Sequence, residues 1–227
     1  MLILRGLIGG VFQLLLFGSL LLIPAGTWNW PRAIQFLVAY GIVVSGATVW
    51  LATVAPSSLE ARLEPAFNKK QPVADRIATA IIAVAFAGWF IFIPTDVFRL
   101  KLLPPPSLGV SVFGAAVSLA GFAIILAALY QNAFATPVVR DQSERGHTLV
   151  DTGLYARVRH PFYTGFLLWL AGLALWLESY AALIALPVVL ASLLVRIRVE
   201  ERTLRETLPG YAEYMGRVRY RLVPGVW

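Results

Sequence analysis

No cysteine occurs in the 227 residues. That excludes disulfides, thiolate-ligated zinc, iron–sulfur clusters and a cysteine nucleophile. Histidine is almost as scarce: His147 and His160 are the only two, which is thin for a haem carrier or a histidine-rich metal site. The glycine-rich fingerprint of dinucleotide-binding folds is missing, and no internal repeat supports an inverted-repeat transporter. Charge is short as well. Only 14% of residues are charged, against roughly 25% in an ordinary soluble domain. Acidic residues are the scarcer sign, 12 against 19 basic, for a net charge of +7. In so apolar a chain that surplus reads as cytoplasmic-loop bias rather than nucleic-acid binding.

What the chain has in excess is hydrophobic sequence, 59% of residues, with a mean hydropathy of +0.74. A soluble core of this size cannot hide so much apolar surface. The composition therefore predicts an all-α, polytopic membrane protein. The 7 Trp, 8 Tyr and 13 Phe suit interfacial aromatic belts. Charges punctuate the apolar runs and place four spanning helices near 7–25, 33–54, 77–95 and 108–130, each close to the roughly 20 residues a bilayer needs. The runs are continuous rather than alternating, which disfavours a β-barrel. The first run is too long for a signal-peptide core and lacks a small-residue cleavage signature, so it reads as a retained helix. A last apolar stretch is interrupted at Glu178-Ser179. Its halves, 162–177 and 180–195, are about 16 residues each, or roughly 24 Å of helix, and predict a tight hairpin shorter than the bilayer core.

With the N-terminus cytoplasmic, only Arg32, Arg99 and Lys101 of the 19 basic residues fall on the far side. The positive-inside rule then places both termini, and the polar segments 56–76 and 131–161, in the cytoplasm. Residues 1–130 read as transmembrane scaffold, with Gly6, Gly9, Gly10, Gly41, Gly46, Gly114 and Gly121 as small interface positions. Residues 131–227 carry the chemistry within the same integrated domain.

Polar residues of interest gather after position 140. His147-Thr148-Leu149-Val150 is followed by Gly153-Leu154-Tyr155 and then by Arg159-His160-Pro161-Phe162-Tyr163-Thr164-Gly165. Pro161 suits a first helical turn, which puts Arg159 and His160 where free N–H groups and the helix dipole favour an anion. Across the hairpin, Arg196 and Glu200 lie four apart on one helix face. Both sets reach the same membrane boundary, where a small zwitterion could be clasped. Taken singly, each feature has an ordinary explanation. An Arg-His pair beside a membrane helix is a topology anchor, and an Arg/Glu pair four apart is a solvated face. The tail residues Tyr211, Tyr214 and Tyr220 with Arg217, Arg219 and Arg221 read most simply as an anchor on anionic lipid.

Taken jointly, these residues, with Glu200-Glu201 and Leu204 after the hairpin, Gly210-Tyr211, Tyr214 and the closing Val223-Pro224, resemble the isoprenylcysteine carboxyl methyltransferase family, related to the phospholipid N-methyltransferases. The resemblance covers about 131–227. It implies S-adenosylmethionine as methyl donor in a cytoplasm-facing pocket lined by His147, Thr148, Leu149, Val150, Tyr155, His160, Pro161, Phe162, Tyr163 and Glu200. Arg196 is implied to lie toward the methyl acceptor. The resemblance further implies a lipid-like acceptor entering sideways from the bilayer; no metal and no nucleic acid is expected to take part. Some relatives carry a glutamine seven residues before the histidine of the first loop; here that position is Arg140. A carboxylate acceptor needs no general base, and Arg196 could orient it; an amine acceptor would need His160 or Glu200 to take a proton. The resemblance thus leaves open an isoprenylcysteine-type carboxylate and a phospholipid amine as acceptors. An NADPH-dependent membrane reductase and a non-enzymatic membrane protein are the competing readings.

Overall fold

A computed structural model describes residues 1–64, 71–134 and 148–227. The chain is an integral, multi-pass membrane protein, and no strand occurs among the described residues. Helices α1 (Leu2–Ala25) and α2 (Pro31–Val54) form an antiparallel pair, followed by a short helix α3 (Pro56–Arg62). Then come α4 (Val73–Thr95), α5 (Leu108–Gln131), α6 (Pro161–Trp176), α7 (Tyr180–Thr207) and a tail helix α8 (Tyr211–Arg217). Of these, α1, α2, α4, α5 and α7 are long and apolar enough to cross a membrane.

The four predicted spans are present, each beginning at its predicted start or up to five residues before it. The hairpin departs from its expected shape. Its second arm does not stop near 195 but runs on for 28 residues, Tyr180–Thr207, about 42 Å at the α-helical rise. The apolar pattern ends where arginines begin, but the backbone does not. Arg, Glu, Thr and Leu are all compatible with a helix, and nothing between Val195 and Leu208 breaks it. The two arms also pack mainly against other helices: α6 along α5, and α7 along α4.

The α5–α6 seam explains the first of these pairings. Gly114 and Gly121 on α5 face Gly172 and Gly165 on α6, so that backbone lies on backbone. A Cβ at Gly121 would lie 2.6 Å from the Gly165 carbonyl oxygen, and one at Gly114 would lie 2.8 Å from that of Gly172. Such approach maximises dispersion contact where lipid offers no hydrophobic drive for helix association. Not every predicted interface glycine takes part: Gly46 faces open space. At the bundle centre, Phe17 stacks on Phe90 at 4.9 Å between ring centroids, with Phe86 and Trp169 beside them.

The turn between α6 and α7 is fixed by polar groups. Glu178 takes the left-handed backbone conformation (φ 70°). The Ser179 hydroxyl accepts from Ala182 N at 2.9 Å, capping α7, and donates to Asp96 at 2.6 Å, tying the turn to the end of α4. Gly121→Val forces the glycine seam apart. Overpacking of this kind costs about 1–3 kcal/mol, read as a lower thermal midpoint of the purified protein in detergent. Gly46→Ala is expected to leave the midpoint unchanged.

Candidate functional site

At the end of the bundle that holds the N-terminus, three helices are joined by one guanidinium. Arg196 on α7 is buried. Its Nη1 donates to Thr79 Oγ1 at 2.7 Å and lies 3.2 Å from Asp75 Oδ1, both on α4. Its Nε donates to the Tyr163 hydroxyl on α6 at 3.0 Å. Tyr163 in turn donates to Glu200 Oε2 at 2.9 Å. Arg196 and Glu200 share a face, as their spacing requires, and Tyr163 bridges them. Asp75 is fully buried and also accepts from the Gln71 side chain. A guanidinium's fork of donors suits this role, since it serves several acceptors in one plane.

The neighbouring residue, Glu201, points elsewhere. It is buried, and its Oε1 accepts from Arg159 Nε at 2.7 Å and from His160 Nε2 at 3.2 Å, while Oε2 accepts from Arg221 Nε at 2.9 Å. Arg159 Nη1 continues to the Val218 and Arg219 carbonyls at 2.7 and 3.0 Å. The backbone N–H groups of Arg159 and His160 donate to Tyr220 and Arg221, and Thr164 donates to Leu222 O at 2.8 Å. His160 does precede a helix opened by Pro161. The anion it faces is Glu201, however, and no ligand is needed to satisfy it.

Tyr155 lies on a 3₁₀ turn, Gly153–Ala156. Gln131, the last residue of α5, accepts from Leu154 N at 2.8 Å, and the Tyr214 hydroxyl donates to the Tyr155 carbonyl at 2.8 Å. Tyr211 and Tyr214 are buried with Leu208 and Val218, and Leu149 packs on that cluster. The expected lipid anchor is thus corrected for these two tyrosines: they form the core of a small tail unit, because the tail folds back over the start of α6. Tyr220 is exposed. Burial pushes the Tyr155 phenol up to about 12, so it is neutral at physiological pH.

Arg196, Tyr163 and Glu200 are brought into direct contact, and the His160 ring packs 5.7 Å from that of Tyr163. Pro161 and Phe162 open the same helix. Leu149 and Val150 are half-buried and Thr148 is exposed. His147 and Arg140 lie outside the described residues. Reading the sequence missed Glu201 as the structural acid, and missed Gln71, Asp75 and Thr79 altogether. Asp75 carried a weak signal: a carboxylate at the start of an otherwise apolar span is costly unless paired.

Removing Glu201 leaves Arg159 buried without its carboxylate. For Glu201→Ala we expect a loss of about 3–5 kcal/mol of stability, seen as a large fall in thermal midpoint. Glu200→Ala, which removes one half-buried partner of Tyr163, should lower stability by only about 1 kcal/mol.

Comparison with known proteins finds a family match over this part of the chain. Residues 111–206 match the profile of the isoprenylcysteine carboxyl methyltransferase (ICMT) family. The chain is 40% identical over 83 residues to the protein-S-isoprenylcysteine O-methyltransferase of Saccharomyces cerevisiae, a stretch covering 36% of this chain and 35% of the yeast protein. It is 36% identical over 85 residues to protein-S-isoprenylcysteine O-methyltransferase B of Arabidopsis thaliana, covering 37% and 43%. The match thus spans less than half the length of either relative. The family-matched stretch begins inside α5, takes in α6 and ends at the last turn of α7, so it contains Tyr163, Arg196, Glu200 and Glu201. The likeness to the isoprenylcysteine carboxyl methyltransferase family is thus carried by this stretch of the chain.

Proposed function

We propose that the protein is a membrane methyltransferase that uses S-adenosylmethionine to methylate the carboxylate of an isoprenylcysteine-type, lipid-like acceptor. The observation that carries this reading is the Arg196–Tyr163–Glu200 cluster, placed at one end of a membrane bundle and wholly inside the ICMT-family stretch.

The residues present fit such a donor. Glu200 is half-buried, and its Oε1 has no partner among the described residues. It is therefore available to an ammonium or a ribose hydroxyl. Tyr163 holds that carboxylate in place, and Arg196, itself fixed by Asp75 and Thr79, holds Tyr163. When bound, S-adenosylmethionine supplies the electrophilic methyl group. The chain supplies position: a displacement needs the acceptor oxygen aligned with the methyl, and alignment alone can contribute several kcal/mol to the rate.

The arrangement favours a carboxylate acceptor over an amine. An amine must lose a proton; the imidazole Nε2 of His160 is already engaged by Glu201, and in this reading Glu200 is taken up by the donor. A carboxylate reaches the reaction as a nucleophile and needs only orientation and desolvation, which a guanidinium at the membrane boundary provides. We assign the site end of the bundle to the cytoplasm from the distribution of basic residues.

Titration calorimetry of the purified protein in nanodiscs should show saturable S-adenosylmethionine binding, weakened at least about tenfold in Glu200→Ala. Labelled methyl should appear in a base-labile ester of a prenylcysteine acid. Label in phospholipid amines would instead support N-methylation, and binding of NADPH in place of the donor would overturn the reading. Because the chain lacks cysteine, sidedness can be tested with single introduced thiols. In intact cells a membrane-impermeant maleimide should label Trp28→Cys and spare Arg219→Cys until the cells are permeabilised.

A further inference from the structure

Arg62 is the last residue of α3, which follows α2 directly and lies outside the family-matched stretch. The short helix is firmly held: Leu59 and Ala61 are buried, and the Ser58 hydroxyl donates to the Leu129 carbonyl on α5 at 2.7 Å. This fixes where the Arg62 side chain can reach. Its guanidinium lies over the Phe162 ring, 4.3 Å from the centroid. Its Nε is buried and has no hydrogen-bond partner. No ion pair to Arg62 occurs among the described residues, whereas Arg196 nearby has Asp75.

The charged and titratable groups around Arg62 are Tyr155, Tyr163, Glu200 and Arg196. They come from the 3₁₀ turn, α6 and α7, and are the residues of the candidate site. Burial lowers the Arg62 pKa to about 10, so the group stays cationic at neutral pH. A cation with its Nε buried, and with no ion pair among the described residues, is unfavourable on its own. Stacking on Phe162 recovers part of that cost and fixes the guanidinium plane. The guanidinium so held lies within electrostatic reach of Glu200 and Tyr163, and its Nε–H is left without an acceptor. A planar fork of donors in a fixed plane matches a planar, two-oxygen anion.

We propose that Arg62, stacked on Phe162, binds the carboxylate of one of the two ligands of the methyltransferase site, and is thus a binding residue that α3 contributes from outside the family-matched stretch. The inference rests on the proposed methyltransferase reading. Two carboxylates are chemically suitable: the aminoacyl end of the donor and the free acid of the acceptor.

The test uses the 227-residue chain in nanodiscs as wild type, Arg62→Gln, Arg62→Lys and Phe162→Leu, with thermal midpoints recorded for each. Two quantities are read: the Kd of S-adenosylhomocysteine and the KM of N-acetyl-S-farnesylcysteine. Arg62→Gln should raise one of them about tenfold at an unchanged midpoint. A rise in Kd assigns the donor carboxylate; a rise in KM alone assigns the acceptor acid. Arg62→Lys, which keeps the charge but not the fork, should recover part of the loss, and Phe162→Leu should raise the same constant several-fold. If wild type binds and methylates while both constants are unchanged in Arg62→Gln, the inference falls and the methyltransferase reading stands. The inference falls equally if the variants lose midpoint in step with binding, because the role is then structural; Phe162→Leu decides the matter should Arg62→Gln fail to fold. If folded wild type neither binds S-adenosylhomocysteine nor methylates the acid, both fall.

Discussion

The carboxylate of Glu201 is the point on which the site depends. It is buried at the end of a long apolar helix and gathers Arg159, His160 and Arg221 around two oxygen atoms. Those three come from the residues before α6 and from the tail, so a single acid on α7 sets where α6 begins and where the tail crosses it. A buried ion pair is a poor source of net stability, but it is demanding about geometry. Arg159 has its remaining hydrogen bonds at the Val218 and Arg219 carbonyls only when the tail is in place. The start of α6 is the part of the fold that presents Tyr163. The register of the site is therefore inherited from a residue that is not part of it.

Glu200 and Glu201 show how adjacency in sequence separates roles in a helix. Successive residues point about 100° apart. One acid turns toward the tail and is saturated; the other turns toward Tyr163 and keeps an oxygen unpartnered among the described residues. The polar network can exist at a membrane boundary because the apolar framework behind it is rigid. The α5–α6 glycine seam brings the two backbones into contact, and α6 cannot slide along α5 without collision. The Ser179–Asp96 link fixes the opposite end of α7. Arg196 is held between these constraints.

Much of this was legible in the sequence. The spans followed from charge-free runs, because lipid tolerates few other patterns. Arg196 and Glu200 followed from their spacing of four, and the opening of α6 from Pro161. Other features were hidden for physical reasons. The length of α7 beyond Val195 was invisible to hydropathy, which reports a helix only while it is apolar. The burial of Tyr211 and Tyr214 depends on the tail folding back, a tertiary event with no local signature. Asp75 and Thr79 sit far from the recognisable motif, and only the packing of α4 on α7 brings them to Arg196. The assignment of Arg159 and His160 to an anion was sound chemistry, but the anion proved to be a side chain of the same protein.

The first half of the chain is therefore more than scaffold. The family-matched stretch holds Tyr163, Arg196 and the paired glutamates. It does not hold the acid that neutralises Arg196, nor the hydroxyl of Thr79, nor the guanidinium stacked on Phe162. Without Asp75 and Thr79, Arg196 would lose the acceptors on α4 that hold it, and Tyr163 and Glu200 would lose part of what orients them. The motif alone thus does not set the electrostatic balance around Arg196. That balance comes from α3 and α4, two helices that lie outside the family-matched stretch.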